Sequence, residues 1–413
     1  MSARFLQIHT LTPYHASLLN RDDAGFAKRI PFGGATRTRI SSQCLKRHWR
    51  RHDGEHALAA IPGVEMSVRS RETFQHHLVQ PLVKTRGVGE ALAQALASKL
   101  QAIVLGQKEK ADKKAKAGED EADSGDEVAT GTDSKQVTVL GQVELRYLLE
   151  LAATIAAKPT VLAAAAAGGK DAGKKLAEEI GKHLDQKELK ANLQALGRGA
   201  EGLDAAVFGR MVTSDVLSRT DAAIHVAHAF TVHGEDAESD YFSAMDDLLA
   251  DTGALGSGHI NSSELNTGLY YGYVVVDLRL LKANLQGVDQ AGDLSAEVIR
   301  RLVHTIASVS PGAKKGATAP YSRAHLVLVE AGNAQPRSLA NAWLKPVSKH
   351  ADLQAAAYRN LGRHVADLDG MYQTGEARRF AAIGPVEELD FLRDTKAQSL
   401  ADVATWAAAQ VRG

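Results

Sequence analysis

Strand-like segments at the start and in the second half of this 413-residue sequence enclose a long helical middle. This arrangement constrains the fold more than any other feature. The segment RFLQIHTL at 4–11 alternates partly between apolar and polar residues, as a strand does. Strand-like runs rich in β-branched and aromatic residues return after residue 224, in AIHVAHAFTVH, GLYYGYVVVDLRLL and SRAHLVLVEA. The pattern predicts one sheet domain interrupted by a helical insertion.

The middle of the chain, between 60 and 200, is rich in Ala, Leu, Lys and Glu. Apolar residues recur at helical spacing in GEALAQALASKLQAIVLG and in KKLAEEIGKHLDQKELKANLQALG. Between these segments, 108–135 has almost no large apolar side chains and cannot bury enough surface to fold alone, so we expect a disordered spacer there. Helical patterns such as SAEVIRRLVHTIASV also lie between the later strands. The predicted fold class is therefore α+β.

Composition and charge restrict the class of protein. The chain has 49 Lys and Arg residues and 49 Asp and Glu residues, so it is not a uniformly basic nucleic-acid coat, although a local basic groove stays possible. Its single cysteine, Cys44, excludes an internal disulfide and fits a reducing compartment. The start lacks the pattern of a signal peptide, and no apolar run approaches the roughly 20 residues that span a bilayer. We expect a cytoplasmic protein that does not enter a membrane.

Positive charge is concentrated in the segment RTRISSQCLKRHWRR, at 37–51. Ser41 or Ser42 is suited to cap the N-terminus of a helix that runs through QCLKRHWRR. In such a helix Leu45 and Trp49 share one stripe, and the basic side chains occupy another. We therefore expect a helix that docks its apolar stripe on the sheet and turns a basic face to a groove.

The basic segment has no acidic residues nearby, since no Asp or Glu occurs between Gly25 and His52. Like charges that lack local partners repel one another unless an anion lies among them. Eight cations are involved: Lys28, Arg29, Arg37, Arg39, Lys46, Arg47, Arg50 and Arg51. A solvated surface helix is the alternative, and it is the usual environment of a charge run. The missing acids favour phosphate binding instead.

Several motifs occur in an order that identifies a family. They are LNRDD followed by FGG-x-x-R-x-RISSQ-x-LKR, FGRM at 208–211 followed by AAIHVAHAFTVH, and then DYFSAMDDLLADTGALGSGHINSSELN, YYGYVVVDL, PYSRAHLVLV and RSLANAWLKPV. In this order they resemble the CasC family, the repeated backbone subunit of the type I-E CRISPR surveillance complex, Cascade. The resemblance covers about half of the chain and does not extend to the helical middle.

The resemblance implies an RRM-like (ferredoxin-like) palm, an inserted helical fingers region and a protruding thumb hairpin. On this sequence the palm would comprise 1–59 and 224–413, the fingers 60–200 and the thumb 201–223. Such subunits stack in several copies along a guide RNA, the crRNA, and present its bases to target DNA. The implied partners are crRNA, target DNA, further copies of the chain and the large, small, guide-end-capping and guide-processing subunits of Cascade, with a nuclease-helicase recruited indirectly. No cofactor is implied.

The resemblance also implies two sets of site residues. The set that holds the guide phosphates would be Arg21, Lys28, Arg37, Arg39, Ser41, Ser42, Gln43, Lys46, Arg47 and Arg50. On the thumb, Phe208, Arg210 and Met211 would kink the guide–target duplex, because apolar side chains can wedge between stacked bases. Ordinary core packing is the alternative for Phe208 and Met211. A protein that accepts any guide sequence has to contact phosphates and 2′-hydroxyls, which suits Arg, Lys, Ser and Gln.

Asp22 and Asp23 leave a rival function open. Backbone subunits of the related type III complexes carry an acidic residue in a comparable loop and cleave bound target RNA with a divalent metal, which would make this chain a metal-dependent endoribonuclease. The matched motifs are of type I-E, in which a separate nuclease-helicase cleaves, so we expect no enzymatic activity and no catalytic residue.

Two further alternatives are a metal site and a free RNA-binding protein. His225 and His228 are three residues apart, which on a strand puts them on opposite faces, so we expect no metal site. A free RNA-binding protein outside CRISPR would need no self-assembling surfaces, and its particles with RNA would not lengthen with the RNA.

Overall fold

The structure of the chain is a computed structural model that describes residues 3–106, 137–169, 171–212, 214–245, 257–289, 292–349, 352–392 and 396–412. The predicted spacer at 108–135 lies outside these residues. The chain divides into two compact units. The sheet unit comprises 1–62, 223–283 and 289–413, and the helical unit comprises 63–222 and 284–288.

Strands occur in both units. Their bounds are β1 (Phe5–Ser17), β2 (Arg29–Phe32), β3 (Ala35–Ile40), β4 (Val68–Ser70), β5 (Thr138–Leu140), β6 (Ile224–Val226), β7 (Ala229–Thr231), β8 (Ala237–Met245), β9 (Ser257–Asp277), β10 (Leu326–Gly332) and β11 (Ala377–Ala382). The sheet unit contains one antiparallel sheet in the order β11-β10-β1-β9-β7-β3-β2, and β6 and β8 also pair with β9. In the helical unit, β4 pairs with β5.

Helices make up most of the remaining regular structure. Their bounds are α1 (Ser42–Arg50), α2 (Gln80–Lys84), α3 (Glu90–Val104), α4 (Gln142–Ala156), α5 (Pro159–Ala166), α6 (Ala172–Lys182), α7 (Gln186–Ala195), α8 (Leu203–Phe208), α9 (Leu278–Leu285), α10 (Asp293–Ser308), α11 (Lys315–Thr318), α12 (Leu353–Tyr372) and α13 (Leu400–Ala409). A π-helical turn spans Gln75–Val79, and 3₁₀ turns span Leu58–Ala60, Ala340–Trp343, Val386–Glu388 and Asp390–Leu392. The mixture of one large antiparallel sheet and many helices confirms the α+β prediction.

The sheet is covered on both faces, which explains why its first strand alternates only partly. Every residue from Leu6 to Leu11 of β1 is buried. On β10, Leu326 and Leu328 share a core with Tyr358 of α12. Because alternate residues of a strand point to opposite faces, Val327 points to the other side, on which α13 packs. Central strands of such a sheet need apolar residues in both directions.

The helical unit has its own core, built from the apolar faces of α3, α4, α6 and α7. The predicted helical spacing is confirmed, because GEALAQALASKLQAIVLG contains α3 and the second predicted segment contains α6 and α7. These two helices are separate because the Asp185 side chain accepts the Lys187 N–H and caps a new N-terminus. No single helix within the described ranges is long and apolar enough to cross a membrane, although α4 and α5 reach that hydropathy together across a 74° bend.

Candidate nucleic-acid interface

Helix α1 has the geometry that the sequence predicts. Ser41 is its N-cap, and the Ser41 Oγ accepts a hydrogen bond from the Cys44 N–H at 3.3 Å. Leu45 and Trp49 are its buried residues, which leaves the basic side chains on the opposite side of the helix. The predicted cap and apolar stripe are therefore confirmed. Because α1 has no acidic residue in its first turn, nothing on the helix itself neutralises its basic face.

The hairpin of β2 and β3 precedes α1 and carries part of the basic segment. Gly33 and Gly34 form its turn with φ of +60° and +77°, and two successive positive φ values are what a tight two-residue hairpin requires. The hairpin base is tied to its neighbours by main-chain bonds, from the Lys28 N–H to the Asn20 carbonyl at 2.9 Å and from the Arg39 N–H to the Lys28 carbonyl at 2.7 Å. Lys28 and Arg39 are therefore held beside each other.

Arg37 does not lie where the resemblance implies. Its side chain is fully buried, and it donates to three main-chain oxygens. Nη1 donates to Thr231 O at 2.9 Å, Nη2 to Trp343 O at 2.9 Å and Nε to Phe32 O at 3.2 Å. Burial lowers the pKa of Arg37. A guanidinium that is buried with all of its nitrogens engaged cannot contact a phosphate, so Arg37 has to be removed from the predicted phosphate set.

Arg29, which precedes the hairpin turn, has acidic partners from distant parts of the chain. Its Nη2 donates to Glu264 at 2.8 Å, and its Nε donates to Glu235. Desolvation lowers the pKa of Arg29, but the hydrogen bonds that it donates to both carboxylates, together with their negative charges, raise the pKa overall. The fold thus brings acidic partners to Arg29 that the neighbouring sequence lacks, so Arg29 adds little net positive charge to this surface.

Most other members of the predicted phosphate set reach the surface of the sheet unit. Arg21, Gln43 and Arg47 are exposed, and Lys28, Arg39, Ser42, Lys46 and Arg50 are half-buried. Ser41 is buried, in keeping with its capping role. The fold therefore separates the eight cations between residues 28 and 51: Arg37 points inward, Arg29 is paired with two acids, and the others lie at or near the surface.

An open depression of about 530 Å³ lies at the base of the hairpin, lined by Asp22, Asp23, Ala27, Lys28, Arg29 and Arg39. Asp22 has a structural contact in its own loop, because its Oδ1 accepts the Phe26 N–H at 2.9 Å. Asp23 is exposed. Chemically, the depression offers Lys28 and Arg39 to an anion.

His228 belongs to this surface, although the sequence suggested only that it was not a metal ligand. It lies between β6 and β7, where the predicted strand is interrupted. Its Nδ1 accepts the Ser42 N–H at 3.1 Å and lies 3.4 Å from Arg39 Nη1. Because Nδ1 is an acceptor, the neutral ring carries its proton on Nε2. Desolvation and the nearby cations Arg39, Lys28 and Lys46 lower the pKa of His228, which favours this neutral form.

The N–H groups at the start of α1 are largely occupied by side chains. The Ser41 N–H donates to Asn20 Oδ1 at 2.9 Å, the Ser42 N–H to His228 and the Cys44 N–H to Ser41 Oγ. A phosphate at this end of the helix would therefore be held by side chains more than by helix amides. Asn20 and His228 escaped the sequence prediction because they lie 21 and 186 residues from their partners.

The three predicted thumb residues do not form one surface in the helical unit. Phe208 is buried at the end of α8. Arg210 is also buried, and its Nη1 lies 2.7 Å from Glu144 Oε2 while its Nη2 donates to Ser218 O at 2.7 Å. Met211 is 92% exposed. Core packing therefore describes Phe208, an internal ion pair describes Arg210, and only Met211 is placed to touch another molecule.

The histidines provide no metal centre in the part of the chain that the structure describes, where no group of three or more His, Cys, Asp and Glu side chains could hold an ion. His225 lies on β6, and His228 contacts the start of α1.

Comparisons with known proteins found matches that extend over nearly the whole chain. A family model described as CT1975-like protein matches residues 6–406. A chain of a solved structure titled "CRISPR RNA-guided surveillance complex, pre-nicking" is 26% identical, with 98% of this chain and 100% of that chain covered and a TM-score of 0.75. A chain of a "CRISPR RNA-guided surveillance complex" is 22% identical, covers 98% and 99%, and has a TM-score of 0.66, which shows a shared fold. A search of curated proteins found no match.

Proposed function

Because the chain belongs to the CT1975-like protein family, we propose that it is a guide-RNA-binding component of a CRISPR surveillance complex. More specifically, it is the repeated backbone subunit of a type I-E complex, as its resemblance to the CasC family implies. The structural match that carries the proposal extends over both full chains: it covers 98% of this chain and 100% of a chain of a CRISPR RNA-guided surveillance complex. A shared domain alone would have covered only part of each chain.

The sheet unit supplies the surface that would hold the guide. Lys28, Arg39, Lys46, Arg47 and Arg50 would contact successive phosphates, together with Arg21, Ser42 and Gln43. None of these groups needs to touch a base edge, so one surface serves every guide sequence and leaves the bases free to pair. Each copy can bind weakly, because contacts between neighbouring copies add to the grip of each one.

The remaining assignments follow the same proposal. The sheet unit corresponds to the RRM-like palm and the helical unit to the fingers with the thumb. The partners are crRNA, target DNA, further copies of the chain and the other Cascade subunits, and the assembly would form in the cytoplasm. Met211 is the thumb residue that remains available to a guide–target duplex.

Assembly on RNA tests the proposal directly. The full chain is mixed or co-expressed with guide RNAs of two lengths, and the particles are sized by light scattering and electron microscopy. A backbone subunit gives particles whose length increases with the RNA. A free RNA-binding protein gives particles whose length does not follow the RNA, and that result contradicts the backbone role.

We propose further that the chain does not cleave nucleic acid. The loop-closing contact of Asp22 with the Phe26 N–H supports a structural role for this residue. The test incubates assembled particles with complementary RNA and with complementary DNA in Mg²⁺ or Mn²⁺. Intact substrate is expected with the wild-type chain. RNA products at regular intervals that disappear in Asp22→Ala or Asp23→Ala would instead establish the metal-dependent endoribonuclease.

A further inference from the structure

We propose that Arg37 and Gly33 form a clamp that holds the β2–β3 hairpin against the segment 339–347, and that Arg37 is thereby a positioning residue for the guide site. The inference rests on the proposed function for its effect on RNA. The clamp itself is a property of the sheet unit alone. It replaces the direct phosphate contact that the FGG-x-x-R motif suggested for Arg37.

The Arg37 side chain joins three separate segments of the sheet unit. Its acceptors are the carbonyls of Phe32 at the end of β2, Thr231 at the end of β7 and Trp343 in a 3₁₀ turn. No ion pair with a carboxylate is found for Arg37 among the residues that the structure describes. Burying a cation without an anion is unfavourable, so the position has to gain from the planar, multidirectional hydrogen bonding that only a guanidinium supplies.

Gly33 fixes the tip of the hairpin to the same segment. A Cβ atom at Gly33 would lie 1.5 Å from the Leu344 carbonyl oxygen, so only glycine permits this close approach. At Gly34 a Cβ would meet nothing within 4 Å, although its φ of +77° resembles the +60° of Gly33. Leu344 directly follows Trp343, so the tip of the hairpin at Gly33 and the side chain of Arg37 contact the same stretch of backbone.

The anchoring segment is itself rigidly held. Trp343 is fully buried, and its Nε1 donates to the Ala357 carbonyl of α12 at 3.3 Å. The Val347 N–H donates to the Val232 carbonyl at 3.1 Å, beside the Thr231 carbonyl that Arg37 contacts. The hairpin is therefore attached to the core through a fixed support.

The clamp matters for the guide site because the hairpin carries two of its cations. Arg39 lies two residues from Arg37 on β3, and its main-chain N–H binds the Lys28 carbonyl at 2.7 Å. Arg39 Nε also donates to the Arg29 carbonyl at 3.1 Å, across the hairpin. Without its contacts to the segment 339–347, the hairpin would still carry Lys28 and Arg39 but would hold them less rigidly beside the start of α1. The same phosphate contacts would then form at a greater cost in conformational entropy.

The salt dependence of RNA binding separates positioning from contact. Arg37→Gln and Arg39→Gln form a matched pair, since each removes one charge from β3. The Arg37→Gln chain should bind guide RNA about tenfold more weakly, because binding then has to order the loosened hairpin, and the slope of log affinity against log salt should be unchanged. Arg39→Gln should lower that slope by about 0.7, the value for one single-strand phosphate contact. A slope reduced by about 0.7 in Arg37→Gln would overturn the proposal, and so would unchanged affinity.

The two glycines provide a second test that keeps Arg37 intact. Gly33→Ala places a side chain at a left-handed φ and in collision with the Leu344 carbonyl, whereas Gly34→Ala places a side chain at a left-handed φ without a collision. Gly33→Ala should weaken guide binding about as much as Arg37→Gln and with the same unchanged slope. Gly34→Ala should bind RNA as the wild type does. Equal effects of the two glycine variants would contradict the clamp, even if Arg37→Gln fails to fold.

Hydrogen exchange in the absence of RNA tests the clamp independently of the proposed function. Amides of 29–40 and of 339–347 should exchange faster in Gly33→Ala and Arg37→Gln than in Gly34→Ala and the wild type. Unchanged protection in both segments would refute the clamp whether or not the chain binds RNA. Faster exchange together with no RNA binding by the wild type would leave the clamp standing and refute the proposed function.

Discussion

His9 Nε2 lies 3.2 Å from Glu330 Oε2 in the middle of the sheet, and both side chains are buried. Tyr271 OH lies 2.9 Å from the other ring nitrogen of His9, and Arg337 and Arg378 both donate to the Glu330 carboxylate. Burial lowers the pKa of His9, so its ring is neutral at pH 7. Burial alone would raise the pKa of Glu330, but the hydrogen bond from His9 and the two guanidinium groups hold it well below its usual range.

This pair predicts that the free energy of unfolding decreases as the pH falls. Above pH 6.5, the unperturbed pKa of histidine, His9 is neutral in the folded and in the unfolded chain, so it does not change the free energy of unfolding with pH. Below it the unfolded chain takes up a proton that folded His9 resists, so the unfolded state gains stability, and below about pH 4.5 Glu330 adds to the loss. Urea unfolding between pH 7.5 and 4.5 measures the trend. His9→Gln should flatten it, whereas the exposed control His15→Gln should not; an equal trend in all three chains would contradict the prediction.

Substitution by alanine should destabilise the fold at Phe208 and leave its stability almost unchanged at Met211. Phe208 is buried, so Phe208→Ala should lower the free energy of unfolding by about 3–5 kcal/mol. Met211 is exposed, so Met211→Ala should change it by less than about 0.5 kcal/mol. If Met211 acts on the duplex, its loss should weaken target-DNA binding by the assembled particle and spare assembly on the guide. Denaturant unfolding and target binding are measured on both variants, and a destabilised Met211→Ala would contradict the placement.

The buried pair of Arg210 and Glu144 should make each single substitution costly. Glu144 also accepts the Gly141 N–H at 2.9 Å, so it caps α4 as well as neutralising Arg210. Arg210→Met leaves a buried carboxylate without its cation and should lower the free energy of unfolding by about 3–5 kcal/mol. Arg210→Met/Glu144→Gln should recover part of the loss, because no uncompensated charge remains. A double variant less stable than Arg210→Met would exclude this coupling.

Features of the structure that depend only on residues close together in the sequence could be predicted from it. The cap at Ser41 and the stripe of Leu45 and Trp49 are properties of one helix, and local spacing determines them. The direction of Arg37 could not be predicted, because its acceptors lie 194 and 306 residues away at Thr231 and Trp343. Charge counting treats every arginine of a basic segment alike, whereas the fold buries one of them.

The same limit applies to the thumb. The order of the motifs predicted that Phe208 and Arg210 lie on a nucleic-acid-binding surface. Whether a side chain is buried depends on distant partners, and for Arg210 that partner is Glu144, 66 residues away. Met211 differs from its neighbours only in pointing outward, and no local pattern in FGRM indicates this.

His228 should prove necessary through its Nδ1 atom. His228→Ala removes the acceptor of the Ser42 N–H and the neighbour of Arg39, so guide affinity should fall by about fivefold, as for one lost hydrogen bond of about 1 kcal/mol. His228→Asn places an amide oxygen near the position of Nδ1 and should restore much of the affinity. His228→Gln places its polar group near Nε2 and should not. Affinities of the three variants for one guide RNA test this order, and rescue by glutamine in place of asparagine would assign the role to Nε2.

The last prediction concerns the basic face of α1. Lys46→Ala/Arg47→Ala removes two cations from the side of the helix opposite to Leu45 and Trp49, which still anchor it, so the fold should survive. Each single-strand phosphate contact contributes about 0.7 to the slope of log affinity against log salt, so the slope should fall by about 1.4. Binding should weaken equally for unrelated guides, because phosphates carry no sequence.

A matched control distinguishes this local contact from the general loss of positive charge. Arg359→Ala/Arg363→Ala also removes two cations from the sheet unit, but these exposed residues lie on α12, where Arg359 is paired with Glu388. The control should leave the slope near that of the wild type, since α12 contributes no residue to the proposed phosphate set. Affinity is measured for two unrelated guides over a salt series. An equal slope change in the control, or a loss confined to one guide, would mean that Lys46 and Arg47 do not hold phosphates.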